Sequence, residues 1–180
     1  MANAPKTKKM STLQDIASKL LATKKYTDKA SAILNLIADN KISMSDLNNT
    51  LAEIKTKRIT DLKDQLINVA IDYINICLED NALTQTEMQD FRMLKHFFKI
   101  QEGDFIRCHK EQEIKHILIA QLHNIQSDNI VDKTEALMKV DLQEMFGLSY
   151  DQFLKIENEV SKESIKNGAN PFDLDTFIKK

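Results

Sequence analysis

Asp80-Asn81-Ala82-Leu83-Thr84-Gln85-Thr86-Glu87 and Asp128-Asn129-Ile130-Val131-Asp132-Lys133-Thr134-Glu135 share the pattern D-N-x-[ILV]-[STD]-x-x-[DE], and Asp39-Asn40-Lys41-Ile42-Ser43-Met44-Ser45-Asp46 is a third copy. The Ser, Thr or Asp at the fifth place suits a helix N-cap. The acid three residues on can close a capping box onto the backbone N–H of that cap. Asn at the second place suits a preceding helix that stops in the left-handed conformation, which Asn tolerates better than other non-glycine residues. The aliphatic residue at the fourth place is expected to pin the turn to the core. Each copy reads as a helix–joint–helix unit, and positive φ is predicted at Asn40, Asn81 and Asn129.

The second and third copies stay in step beyond the joint. Leu94 aligns with Leu142, Phe98 with Phe146, Ile100 with Leu148 and Phe105 with Phe153, all 48 apart, which marks an internal repeat. Around the joints the apolar residues recur at three and four. Leu13, Ile16, Leu20 and Leu21 form one stripe, Ala30, Ile33, Leu34 and Ile37 a second, and Leu47, Leu51, Ile54, Leu62, Leu66, Val69, Tyr73 and Cys77 a third. Helices are predicted over 11–24, 27–37, 43–78 (one helix, or two broken near 56–60), 84–99, 104–126, 132–146 and 149–166.

Composition points the same way. The chain has 180 residues, two Pro and three Gly, and no Pro lies between Lys6 and Asn170. Sandwiches, barrels and βαβ folds need frequent Gly- or Pro-rich turns, so they are excluded. The sequence predicts an all-α single-domain helical bundle of about seven helices over residues 11–167. A basic disordered tail precedes it over 1–10, and an irregular C-terminal tail is expected over 168–180.

The joints resemble the A-D-G-x-[IV]-[ST]-x-x-E element of TerB-like (tellurite resistance protein B) domains, all-helical bundles in which such elements recur. The resemblance covers about residues 27–155, through the three joints and the turn Phe146-Gly147-Leu148-Ser149. The chain departs from the family pattern with Asn40, Asn81 and Asn129 in place of Gly and with Asp46 in place of Glu. What the resemblance implies is a cytoplasmic interaction module tied to stress response or tellurite resistance, working with a protein partner in a membrane-associated complex. It also implies that the joint acids Asp39, Asp46, Asp80, Glu87, Asp128 and Glu135 can bind a divalent cation.

The residues themselves offer a competing account of those acids, since capping alone explains their types. The third joint also resembles a degenerate EF-hand loop, with Asn124, Gln126, Asp128, Asp132 and Glu135 at the five ligand places. A cation-binding or cation-sensing protein is thus the alternative function, with Asp128, Asp132 and Glu135 as its ligands. At the second joint Ile76 and Leu78 would occupy ligand places, which excludes calcium there.

Catalytic chemistry is sparse. His109, His116 and His123 recur every seven residues on the predicted helix 104–126, too far apart per step to share a metal. Glu113-x-x-His116 is a single ExxH, whereas a di-iron bundle needs two. Cys108 and His109 are neighbours that point about 100° apart on a helix. No nucleophile elbow and no phosphate-cradling Gly-rich loop occurs, so a non-enzyme is expected, with no cofactor other than the cation.

With only Cys77 and Cys108 there is no disulfide framework, and a reducing cytoplasm is expected. Met1–Met10 lacks the apolar stretch of a secretory signal, and no run approaches the length of a membrane span. Residues 1–60 carry 11 Lys+Arg against 5 Asp+Glu, or +6, and residues 61–180 carry 14 against 22, or −8. That basic end suits a solvated tail or an anionic partner, but no aromatic residues interleave the charges, so nucleic acid is not expected. Finally, Asn170–Lys180 holds Phe172, Leu174, Phe177 and Ile178, too apolar for a solvated terminus. The expectation is that this tail folds back into a groove of its own bundle, the alternative being an anchor for a partner.

Overall fold

The structure is a computed structural model that describes residues 12–80 and 83–174, with the backbone alone for Asp80. It is all-α, and no strand occurs among the described residues. The chain divides into two compact units, residues 1–61 and 62–180.

The first unit holds α1 (Leu13–Thr23), α2 (Asp28–Ala38) and α3 (Met44–Glu53). Thr12, Thr27 and Ser43 cap the three helices through their side-chain oxygens. Leu13, Ile16, Ala17 and Leu20 bury one face of α1, and Ile33, Leu34, Leu36 and Ile37 bury the matching face of α2. The predicted stretch 43–78 is two helices. α3 ends in a left-handed Lys55, φ 52°, and a 3-10 turn over Ile59–Leu62 follows.

The second unit holds α4 (Lys63–Cys77), α5 (Gln85–Phe98), α6 (Asp104–Arg107), α7 (Glu111–Ile125), α8 (Lys133–Phe146), α9 (Tyr150–Lys166) and α10 (Pro171–Leu174). The repeat read from sequence appears here as two helix pairs of equal length. α4 and α7 each have 15 residues and start at 63 and 111, while α5 and α8 each have 14 and start at 85 and 133. Both offsets are 48. Leu94 and Leu142, Phe98 and Phe146, Ile100 and Leu148, and Phe105 and Phe153 are buried in both copies. Their aromatic centre is Phe91, whose ring lies 6.1 Å from Tyr73, 6.4 Å from Phe105 and 6.0 Å from Phe146. Rings at these separations add about 0.5–1.5 kcal/mol per pair beyond their burial.

Six of the helices end in the same way. At α2, α3, α5, α6, α8 and α9 a residue one or two places past the last helical residue takes positive φ and two reverse hydrogen bonds close the turn, as in Lys99 N–H to His96 C=O at 3.1 Å and Ile100 N–H to Lys95 C=O at 2.9 Å. Only α8 and α9 use Gly there, at Gly147 and Gly168. Lys55, Lys99 and His109 hold the same conformation at the cost of crowding their Cβ.

Two sequence expectations need correction. The stretch 104–126 is not one helix, because it breaks at Cys108–Lys110, where His109 has φ 58°. The apolar period runs on through the break, since Phe105 and Ile114 both face the core, so periodicity alone hid it. The tail is not wholly irregular either: Pro171 begins the short helix α10, with Asn170 Oδ1 accepting the Phe172 N–H at 3.1 Å.

Candidate functional site

The three joints were the sequence's candidates, and the structure puts them to work as caps. At the first, Asn40 has φ 57°, and its N–H and that of Lys41 close on the carbonyls of Ile37 and Leu36. Asp39 pairs with Lys41 at 3.1 Å, and Asp46 accepts the Ser43 hydroxyl at 2.5 Å. At the second joint Glu87 accepts the Thr84 N–H at 2.9 Å while Thr84 Oγ1 accepts the Glu87 N–H at 3.2 Å. Asn81 and the Asp80 carboxylate lie outside the described residues. The third joint has Asn129 at φ 64°, Asp132 and Glu135 in a reciprocal box at 2.8 and 2.9 Å, and Asp128 accepting the Ile130 N–H at 3.0 Å.

No group of three His, Cys, Asp or Glu among the described residues lies close enough to hold a metal ion. Gln126, one of the EF-hand-like positions, is buried and engaged on α9, donating to Ser161 Oγ at 3.1 Å and accepting from Ser164 Oγ at 2.9 Å. The histidines also separate: His109 sits in the break before α7, and His123 faces Glu163 at 3.6 Å. Burial, and then a hydrogen bond with Asp64, push the Cys108 thiol up to about 11, so almost no thiolate exists at neutral pH.

The fourth-place aliphatic behaves differently in each unit. Leu83 and Val131 are 3% and 2% exposed, but Ile42 of the first joint is 39% exposed, which corrects the expectation that all three pin their turns. Burying Leu83 and Val131 strips water from their backbone N–H groups, and each then needs an acceptor from elsewhere. Leu83 N–H finds Gln121 Oε1 on α7 at 3.2 Å, whereas Val131 N–H finds the Asp173 carbonyl on α10 at 2.8 Å. Sequence carried no signal of either bond, because both partners lie about 40 residues away.

That second bond seats the tail at the third joint. Leu174 is buried, and its carbonyl accepts from Lys139 Nζ at 3.3 Å. Phe172 instead stays 63% exposed, so this ring of the tail is not buried. Phe177 and Ile178 lie outside the described residues.

Between α8, α9 and α10 runs a groove of about 380 Å³, lined by Ala136, Val140, Phe153, Leu154, Ile165 and Leu174. Lys139 and Glu157 cross it as an ion pair at 2.7 Å. Of the groove's lining residues Val140 is 54% exposed and Tyr150 and Ile165 are exposed too, and Leu137, 66% exposed, lies one turn of α8 from Val140. A run of apolar side chains along one helix face is the signature of a contact surface, since isolated exposed apolar residues are common but clustered ones are not. Sequence could have flagged α8, whose Leu137 and Val140 break the stripe that buries Leu142, Met145 and Phe146.

Elsewhere the polar clusters serve the scaffold. Burial would raise the Asp104 carboxyl, but hydrogen bonds from Lys63, the Gln101 N–H and Arg107 outweigh it and hold the group below the usual carboxylate value. Lys63 also donates to the Lys99 carbonyl at the end of α5. Lys95 caps α8 in a comparable way, donating to the Met145 carbonyl at 2.6 Å, and burial lowers its amine below the ordinary lysine value.

No helix among the described residues is long and apolar enough to cross a membrane. Compared with known proteins, the chain matches no family model, no curated protein and no solved structure.

Proposed function

We propose that this chain is a non-catalytic interaction module that binds a protein partner through the apolar face of α8 and α9. The observation that carries the reading is that exposed Val140, Tyr150 and Ile165 line one groove, with exposed Leu137 one helical turn from Val140. An apolar groove between helices suits an amphipathic helix laid along it. The recurrence of capped joints supports a TerB-like module, cytoplasmic and acting in a membrane-associated complex of a stress or tellurite response. The protonated Cys108 thiol and the scattered histidines supply nothing that argues for catalysis.

A cation-binding role would have to compete with the capping bonds of Asp132 and Glu135. The test compares the full chain with the double variant Leu137→Asp, Val140→Asp in capture from the native host, with circular dichroism to verify the fold. Loss of a specific partner from a folded variant is expected. The same partners on both proteins would place the contact elsewhere.

A further inference from the structure

The chain itself holds a segment whose chemistry matches the groove. Asn170-Pro171-Phe172-Asp173-Leu174-Asp175-Thr176-Phe177-Ile178-Lys179-Lys180 reads as a complete helix signature: Asn cap, Pro at the first helical position, Asp173 and Asp175 in the first turns, Lys179 and Lys180 at the far end. The structure confirms how it starts, with Asn170 Oδ1 capping the Phe172 N–H and α10 spanning Pro171–Leu174. Leu174, Phe177 and Ile178 are spaced three and four apart, which is one stripe of a helix. The first member of that stripe, Leu174, is already buried and lines the groove, anchored through Lys139. Three residues further on, Phe177 is within about 5 Å of Leu174 along a helix and about 10 Å if extended. Val140, Leu154 and Ile165 line the same groove as Leu174, so either reach is short enough for Phe177 to meet them.

We propose that the groove between α8 and α9 is a seat for the chain's own segment Asp175–Lys180, filled by Phe177 and Ile178, and that a partner must displace this segment to bind. The second half rests on the function proposed above; the first does not. A tethered segment competes at an effective concentration on the order of millimolar, so only modest intrinsic affinity is needed to fill the seat. If the groove is about nine-tenths occupied, the apparent affinity for a partner falls about tenfold.

The experiment follows methyl resonances of Val140, Leu154 and Ile165 in the full chain and in Phe177→Ala, Ile178→Ala, each at two protein concentrations. Loss of the Phe177 ring current should shift these three methyls, leave those of Leu13 and Ile33 in place, and do so equally at both concentrations. Unchanged groove methyls overturn the proposal. A shift seen only at the higher concentration also overturns it, because the seat is then taken by a second copy. For the regulatory half, the double-Ala variant should capture partner about tenfold better than the full chain. Equal capture overturns displacement even where the methyls move. A partner insensitive to Leu137→Asp, Val140→Asp sinks the function reading while leaving the seated segment intact.

Discussion

α4–α5 and α7–α8 are the same helix pair twice, equal in length and capped by the same chemistry, yet they differ where they face outward. At the positions where α8 carries Leu137 and Val140, α5 carries Gln89, which is exposed, and Arg92, which pairs with Asp141 at 2.5 Å. α5 does expose Met93, but its counterpart on α8 is the acid Asp141. One copy therefore acts as a control for the other. A hairpin of this design folds with polar residues at those two places, so the apolar pair on α8 is not needed by the hairpin and points to a contact. The joints differ in the same instructive way: Leu83 takes its acceptor from a neighbouring helix, and Val131 takes it from the tail.

Core positions give the largest expected effect. Phe91→Ala should cost about 3–5 kcal/mol in urea unfolding, and Leu94→Ala and Leu142→Ala about 2–5 each. Similar losses for the two leucines would sharpen the repeat, and a large disparity would break it.

The Asp104 ion cluster comes next; the other copy has Gln152 in place of Asp104 and Glu111 in place of Lys63. Asp104→Asn leaves the half-buried Lys63 without its carboxylate and should cost about 3 kcal/mol at neutral pH. Because the folded carboxyl is held below its unfolded value of about 3.9, its contribution is complete above that pH and disappears as pH falls through the lower folded value. Stability curves of the two proteins should therefore converge in acid. Parallel curves would remove Asp104 as the cause.

Deleting Pro171–Lys180 leaves the Val131 N–H without its acceptor, and Gln121→Ala does the same to Leu83. Each orphaned buried donor should cost about 1–3 kcal/mol, and the deletion more because Leu174 leaves its seat. No loss on deletion would mean that the third joint does not depend on the tail.

The smallest effects separate the two helix ends. Gly147→Ala places a Cβ 3.0 Å from the Glu102 Cα at φ 60° and should cost about 1–2 kcal/mol. Lys99→Gly, at the equivalent position with φ 55°, should be neutral or gain up to about 1 kcal/mol. Asn40→Gly and Asn129→Gly should behave like Lys99→Gly, as thermal unfolding can show.

Local signals determined the helices, the joints and the register of the repeat, because capping and periodicity act over three to seven residues. The left-handed Asn40 and Asn129 were readable for that reason, and so were the boxes Thr84–Glu87 and Asp132–Glu135. The break at His109 was not readable, since neither Gly nor Pro marks it and the apolar period passes through it. What covers a joint and where α10 lodges were decided by tertiary structure alone. Those outcomes depend on backbone groups losing water when distant segments meet, and the acceptor that replaces the water, Gln121 for Leu83 or Asp173 for Val131, lies some 40 residues away, where no local pattern reaches.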